Sequence, residues 1–301
     1  AINGTAAGVV QALGDLDTDP TNFTSLVTAG VVSASDLITI STNNSGQVNA
    51  SAVTDINGNT AEIAAVIADS SITKPTNFNS LITSAPVLAA DLTSISNGNG
   101  TGTVDASTVT EINGTAAQVA AVIADASITK NANFNSTLTG AAAATDISAI
   151  EAANGSGTID GSLLASINGT AANILTALGD LDTDPTSFAS TLTGVATAAD
   201  IHTIRLATSG ALNGTGITAI DGTASAVVQA LGDLDTDPTN FNSTLTGVAA
   251  ATDISAIEAA NGTGLIDGSA LASINGTAAD IVTALGDLDT DPTSFASTLT
   301  G

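Results

Sequence analysis

The most specific polar motif of this 301-residue chain is D-L-D-T-D-P, which places three carboxylates at alternate positions. It occurs four times, and its aspartates are Asp15, Asp17, Asp19, Asp180, Asp182, Asp184, Asp233, Asp235, Asp237, Asp287, Asp289 and Asp291. Calcium takes about six to eight oxygen ligands, which alternating carboxylates and nearby carbonyls on a loop can supply. The spacing therefore predicts calcium as a cofactor, bound by these aspartates. The alternative is that they cap turns and stay solvated ahead of the proline.

The corresponding loops of two other segments replace carboxylates with lysine. These loops read A-D-S-S-I-T-K-P and A-D-A-S-I-T-K-N, and they contain Lys74 and Lys130. Both lysines fall where the D-L-D-T-D-P loops carry only carboxylates. Since a fixed ammonium group can take the place of a bound cation, this exchange favours cation binding in the other loops.

No residue pattern in the chain predicts catalysis. The only histidine, His202, stands where matching segments carry Ser148 and Ser255, and Arg205 stands where they carry glutamate. A lone histidine without a matched nucleophile and orienting partner does not form a catalytic triad. With no cysteine in the chain, thiol chemistry is excluded as well. We expect a non-enzymatic protein, with His202 on a solvated helix face.

The charge balance restricts the partners. Twenty-nine acidic residues stand against three basic ones, giving a formal net charge of −26. Binding to nucleic acid requires clustered lysine and arginine, which this chain lacks, and an anionic membrane surface is disfavoured for the same reason. No apolar run approaches the roughly 20 residues of a membrane span, so membrane insertion is not expected. The acidity favours a saline or calcium-containing exterior, at the cell surface or beyond it.

One repeat of about 54 residues organises the whole chain. The only aromatic residues are six phenylalanines, which recur at intervals of 53 to 56 residues. An I-[ND]-G motif keeps the same period, and a further apolar residue, the apolar marker, follows each phenylalanine by four positions. The predicted repeats within residues 1–301 are approximately 2–55, 56–111, 112–166, 167–219 and 220–273, followed by a half repeat, 274–301. The two marker series alternate at steps of 25 to 30 residues, so each repeat consists of two similar coils.

Each coil has the pattern of a strand followed by a helix. After the short strand Ile167-Asn168-Gly169, Thr170 is placed to cap a helix with Ala171, Ile174, Leu175 and Leu178 on one apolar stripe. In the second coil, Thr191-Leu192-Thr193 alternates as a half-buried strand does, and a helix follows through Ile201 and Ile204. The segment 157–161 indicates a further short strand or turn.

Strands that alternate with helices at this spacing predict parallel pairing with helical crossovers. A single coil cannot bury its own apolar stripe, so neighbouring coils must cover it. The sequence therefore predicts an α/β repeat solenoid of short parallel strands and helices, forming one array.

Neither end of the chain has the polar cap that terminates most solenoids. Ala1 to Thr5 matches Ser273 to Thr277, and the chain stops just where a helix is due. We expect either flanking repeats of a longer chain or self-association, end to end. Both describe a fibre or a stalk.

The T-L-T strands present a second candidate surface. Their outward threonines, for example Thr137 with Thr139 and Thr298 with Thr300, predict polar ladders along the array. Such a ladder is suited to a glycan, to ice or to another filament. A merely solvated face is the alternative.

Three segments carry a resemblance to a known class of protein. They are Ile112-Asn113-Gly114-Thr115-Ala116-Ala117, Thr137-Leu138-Thr139-Gly140, and the run from Ala143 to Ile150. They resemble the repeat arrays of giant secreted bacterial surface proteins, especially those of marine cyanobacteria. The resemblance implies an exported, often calcium-associated component of surface layers, adhesins or extracellular filaments. We therefore expect an extracellular structural protein, with a glycan- or ice-binding module as the alternative.

Overall fold

The computed structural model describes residues 1–300, and only Gly301, the last residue of the predicted half repeat 274–301, lies outside the described residues. Eleven helices occur in this range: α1 (Ala6–Gly14), α2 (Ala34–Thr42), α3 (Thr60–Ala68), α4 (Ala89–Gly98), α5 (Ala116–Ala124), α6 (Ala144–Glu151), α7 (Ala171–Asp180), α8 (Ala198–Ala207), α9 (Ala224–Asp233), α10 (Ala251–Ala260) and α11 (Ala278–Asp287).

The strands alternate with these helices. They are β1 (Ser25–Leu26), β2 (Gly30–Ser33), β3 (Val48–Asn49), β4 (Val53–Asn57), β5 (Ile72–Thr73), β6 (Ser80–Leu81), β7 (Val87–Leu88), β8 (Val104–Ala106), β9 (Ile112–Asn113), β10 (Ile128–Lys130), β11 (Ser136–Ala143), β12 (Ile159–Asn168), β13 (Ser190–Thr197), β14 (Leu212–Asp221), β15 (Ser243–Ala250) and β16 (Ile266–Asn275).

The chain divides into two compact units. The first consists of residues 1–138 and 149–160. In it, helices α1 to α5 pack on one another in chain order. The strands form parallel sets in the orders β1-β3-β5, β10-β8-β6, β2-β4 and β7-β9.

The second unit consists of residues 139–148 and those from 161 onward, and it repeats the same plan. Helices α7 to α11 pack in chain order, and β13 pairs with β14 and β15 with β16 in parallel. A parallel bridge between Gly222 and Leu245 joins the end of β14 to β15. Both units are therefore mixed α/β structures made of serial helix–strand elements, as predicted.

Helix starts follow the capping residues of the sequence. Asn59 and Glu62 form a complete capping box at the start of α3, and the Thr277 side chain accepts a hydrogen bond from the Asp280 backbone N–H at the start of α11. These contacts satisfy amide groups that lack a partner inside the helix. The predicted cap at Thr170 is confirmed as well, because its side chain accepts the Asn173 N–H at the start of α7.

The buried face of α7 differs from the predicted stripe. Ala171, Ile174 and Ala177 are buried, whereas Leu175 and Leu178 are only half-buried. The helix packs against β13 and α8 through a face that includes small alanine side chains. Because alanine permits close approach, the core follows positions i, i+3 and i+6, and the larger leucines lie at its margin.

The predicted short strands merge in the later repeats. The segment 157–161 and the strand Ile167-Asn168-Gly169 were expected to be separate elements, but β12 runs continuously from Ile159 to Asn168. In the first unit the matching segments stay separate as β3 and β4. Strand length therefore varies between copies of one repeat.

The I-[ND]-G motif has a pairing role that the period alone does not reveal. The Asn57 Oδ1 atom accepts the Leu81 N–H at 2.9 Å, and the Asn168 Oδ1 atom accepts the Thr191 N–H at 2.8 Å. Asp221 replaces asparagine in one repeat and accepts the Thr244 N–H at 2.7 Å. Both residue types supply the same acceptor oxygen, which explains why either can stand before the glycine.

The apolar markers show how the core is built. They are Val27, Ile82, Leu138, Leu192, Leu245 and Leu299. The first five are completely buried, whereas Leu299, in the final coil, is 67 % exposed. Likewise Phe295 is half-buried although Phe188 and Phe241 are buried. The same repeat position is therefore buried where another coil covers it and exposed where none does. Burial of the marker depends on contact between coils.

We predict that Leu192→Ala lowers the free energy of unfolding by about 2–5 kcal/mol, because it removes buried methyl groups and leaves a cavity. Leu299→Ala, at the same repeat position, should change stability by less than about 0.5 kcal/mol, since its side chain is mostly exposed. Urea unfolding of both variants measures the difference. Equal losses would mean that the neighbouring coils do not bury this position.

Candidate functional site

The first aspartate of each D-L-D-T-D-P loop lies at the end of a helix. Asp180, Asp233 and Asp287 are the last residues of α7, α9 and α11, and Asp15 is the C-cap residue of α1. A carboxylate at a helix C-terminus meets the negative end of the helix dipole. These side chains therefore gain from a hydrogen-bond donor on a neighbouring element.

In the second unit, the donor comes from the preceding helix in the chain, not from the helix that carries the aspartate. The Ser148 Oγ atom donates to Asp180 Oδ2 at 2.6 Å, and the Ser255 Oγ atom donates to Asp287 Oδ2 at 2.5 Å. In the repeat between them, His202 Nδ1 lies 2.8 Å from Asp233 Oδ2. The first aspartate thus links two successive helices.

The same link recurs in the first unit with a different serine position. The Ser41 hydroxyl donates to Asp69, and the Ser96 hydroxyl donates to Asp125. At Asp69, burial raises the pKa, but hydrogen bonds from Ser41 and Ser71 outweigh it and leave the pKa below the usual value. Since these hydrogen bonds favour the ionised carboxylate, the link is present above the usual pKa and weakens as the pH falls through the lowered one.

The second aspartate closes the corner of the loop. The Asp235 Oδ2 atom accepts the Leu212 N–H at 2.8 Å, and the Asp289 Oδ2 atom accepts the Ile266 N–H at 2.8 Å. The Leu212 N–H, together with the Arg205 guanidinium, lowers the pKa of Asp235. This carboxylate holds the loop to the first residues of a neighbouring strand.

The third aspartate stands next to proline. Burial raises the pKa of Asp184 and of Asp237, because partial removal from water disfavours the charged form. In the first repeat, Asp15, Asp17 and Asp19 are all exposed. The three carboxylates of a loop therefore have separate surroundings.

The predicted metal ligands are not gathered into one cage. Within residues 1–300, no group of three or more histidine, cysteine, aspartate or glutamate side chains is arranged to hold a metal ion. The first and second aspartates of the loops after α9 and α11 instead accept hydrogen bonds from the protein. Calcium at these loops stays a prediction.

The lysines that replace carboxylates contact backbone oxygens. The Lys130 Nζ atom donates to the carbonyls of Val122, Ile123 and Ile128 at 3.1 to 3.3 Å. The Lys74 Nζ atom lies 3.5 Å from the Asp69 carbonyl. Both ammonium groups sit at helix C-termini, where unpaired carbonyls and the helix dipole favour a cation.

Arg205 and His202 form a polar cluster that the sequence did not predict. The guanidinium donates to the Asp233 carbonyl at 2.9 Å, to the Gly210 carbonyl at 3.1 Å and to the Asp235 carboxylate at 2.5 Å. The Arg205 side chain is 23 % exposed and that of His202 is 38 % exposed. His202 lies on a partly solvated face of α8, and the packing of α8 on α9 also brings its Nδ1 atom to Asp233.

The outward threonines line a shallow groove in the second unit. It has a volume of about 550 Å³ and lies beside the N-termini of α8 and α9. Its polar lining includes Asp221, Thr223, Thr244 and Thr246. The T-L-T alternation is confirmed, since Leu245 is buried between the exposed Thr244 and Thr246. A smaller groove in the first unit includes Ser33, Asn57 and Thr83.

No described helix combines the length and the apolar character that crossing a bilayer requires.

We predict that Arg205→Glu, the residue type of two sister repeats, destabilises this chain. It removes the donor to two carbonyls and places a carboxylate beside Asp235. We expect a fall of roughly 2–4 °C in the midpoint of thermal unfolding, with Arg205→Gln in between. Measuring both at low and at high salt separates lost hydrogen bonds from charge repulsion, because salt screens only the latter. If Arg205→Glu unfolds at the same midpoint temperature as the unchanged chain, Arg205 does not stabilise the fold.

No protein-family model matches the chain, and neither a curated protein nor a solved structure matches it. No relative therefore assigns a role to the aspartate loops or to the Arg205 cluster.

Proposed function

We propose that this chain is a repeat segment of an extracellular structural protein, forming part of a cell-surface fibre, a surface layer or an adhesin stalk. The observation that carries the proposal is the complete burial of the same apolar marker in five repeats, at Val27, Ile82, Leu138, Leu192 and Leu245. Each added coil covers its neighbour, so such an array lengthens by repetition without a change of fold.

The finer architecture that we propose is an α/β solenoid within each compact unit. Its support is the serial packing of successive helices together with parallel strand pairing. Side-chain links repeat from coil to coil as well, through the asparagine oxygens and the carboxylates at the helix ends. Linkage between neighbouring elements inside each unit suits a segment that carries load along its length.

The distribution of charge supports an exterior location. All three basic residues hydrogen bond within the chain, to backbone carbonyls or to aspartate. The surface is therefore dominated by acidic groups, in line with the formal net charge of −26. Such a surface resists non-specific association and tolerates high salt. The resemblance to giant secreted bacterial surface proteins points to the same location.

A non-catalytic role agrees with the surroundings of the reactive side chains. His202, the only histidine, contacts Asp233 and the Gln229 amide and lies on the helix layer rather than in the threonine groove. The partners in this proposal are flanking repeats of a longer chain or further copies of this one.

Immunogold labelling of producing cells, with antibodies against this chain, tests the proposal. We expect label on fibres or on a continuous layer outside the cell, and elongated or layered assemblies in negatively stained native material. Label confined to the cell interior, or native material consisting only of isolated particles, would overturn it.

Calcium bound at the D-L-D-T-D-P loops is a separate part of the proposal, supported by their alternating carboxylates. Calcium that binds only the folded chain should raise the free energy of unfolding by roughly 2.7 kcal/mol at one hundred times the dissociation constant. The midpoint of thermal unfolding should then lie above its value in chelator. The quantity to compare between variants is this calcium-dependent rise. Asp180→Ala alone breaks the hydrogen bond with Ser148 and so lowers stability in either solution.

We expect Asp182→Ala with Asp184→Ala to reduce the rise, whereas Asp69→Ala, in a loop that has lysine, should leave it intact. Magnesium provides a control for general charge screening. The same midpoint in calcium and in chelator would remove calcium from the proposal and leave the carboxylates as loop and helix-end links.

A glycan- or ice-binding module is the second candidate, favoured by the groove that Thr223, Thr244 and Thr246 line. The groove lining contains no aromatic side chain on which a sugar ring could stack, so this candidate stands second. A glycan array and a thermal-hysteresis assay that both give no signal would exclude it.

A further inference from the structure

In five coils, the chain changes direction after a helix at a buried polar residue, and we call this turn a corner. These corner residues are Asn44, Asn99, Asn154, Thr208 and Asn261, and each is at most 6 % exposed. Each corner lies against the phenylalanine of the same repeat. A polar side chain that is buried in a protein usually has a hydrogen-bond partner. The corners differ in whether the protein itself supplies that partner.

Two short corners satisfy the side chain within the protein. The Asn44 Oδ1 atom accepts the N–H groups of Phe23 and Gly46, both at 2.8 Å. The Thr208 hydroxyl accepts the Phe188 N–H at 2.8 Å and donates to the Phe188 carbonyl at 2.6 Å. In both corners the glycine follows two positions after the polar residue, and the side chain itself closes the turn.

Three longer corners have the sequence N-G-x-G and close differently. The main-chain carbonyls of Asn99, Asn154 and Asn261 accept the N–H of the glycine three positions later. Those of Asn99 and Asn261 also accept the N–H of Phe78 and Phe241. These corners have one more residue before the closing glycine than the short corners do. As a result, the main-chain carbonyl of asparagine, and not its side chain, accepts the hydrogen bond from that glycine.

This change leaves the asparagine oxygen without a protein partner. Asn99, Asn154 and Asn261 are 0 % exposed, and their Oδ1 atoms accept no hydrogen bond from the protein. The amide nitrogens of Asn154 and Asn261 still donate to the carbonyls of Gly157 and Gly264 at 3.0 Å. Those bonds fix the side-chain orientation, so exchanging oxygen for nitrogen would set two carbonyl oxygens against each other.

The serines two positions after the phenylalanines add a second observation. The hydroxyls of Ser190 and Ser243 donate to the carbonyls of Ile167 and Ile220, but those of Ser80 and Ser136 have no partner and are buried. Ser80 and Ser136 belong to the repeats whose corners are Asn99 and Asn154. Unpaired buried polar atoms therefore occur together in the second and third repeats.

We propose that each N-G-x-G corner binds an ordered internal water, which donates a hydrogen bond to the asparagine Oδ1 atom. A buried acceptor without a partner costs about 1–3 kcal/mol, and native proteins usually meet this cost with a water that makes about three hydrogen bonds. The corners at Asn44 and Thr208 bind none, because their side chains accept from the protein.

A crystal structure of the whole chain at a resolution that defines waters tests the assignment. We expect an ordered water at hydrogen-bonding distance, about 2.6–3.2 Å, from Oδ1 of Asn99, Asn154 and Asn261. The corners at Asn44 and Thr208 are matched controls within the same molecule and should have no such water. Dry N-G-x-G corners, or Oδ1 atoms bonded directly to protein donors, would overturn the proposal.

The distance also separates water from a cation. A peak about 2.3–2.6 Å from Oδ1, surrounded by several further oxygens, would identify a metal such as calcium and overturn the water assignment. As a second variant, Asn261→Thr with Gly262 removed copies the corner at Thr208. We expect it to lose the water at that corner alone, while the waters at Asn99 and Asn154 remain. Persistence of the water in this variant would contradict the role of Asn261.

Discussion

The structure depends on apolar contact between successive coils, since no single helix–strand element can bury its own apolar face. The markers from Val27 to Leu245 are wholly buried, and Leu299 is largely exposed, although all stand at one repeat position. Stability is therefore a property of neighbouring coils rather than of one coil. Within each compact unit, parallel backbone pairing, helix packing and polar links add to this burial.

Polar residues align neighbouring helices and strands within each unit. Asparagine or aspartate before glycine accepts an N–H from the next T-L-T strand, and serine or histidine contacts the aspartate at the end of the following helix. These contacts are directional, whereas apolar burial is not. Together they explain how a sequence so rich in alanine, threonine and glycine specifies one alignment of its coils.

The variable positions show how one repeat accommodates different charges. Ser148 and Ser255 contact aspartate through a neutral hydroxyl group. In the repeat between them, the His202 imidazole contacts Asp233 and the Arg205 guanidinium contacts Asp235. Lys130 fills a comparable helix end with an ammonium group bonded to three carbonyls. Each arrangement gives the end of a helix a polar contact, so serine, histidine, arginine and lysine can all stand near these positions.

The sequence by itself determined the period, the helix starts, the alternation of T-L-T and the α/β class, because these follow from local spacing and capping chemistry. It did not determine which helix face is buried. Packing against neighbouring elements buries Ala177 and leaves Leu175 and Leu178 half-buried. Nor did it place His202 and Arg205 against Asp233 and Asp235, about thirty residues away, because that contact requires α8 to lie beside α9. The partners of the aspartates were likewise decided by the tertiary structure. Alternating carboxylates show which groups a loop offers, but only the folded neighbours decide which donors reach them.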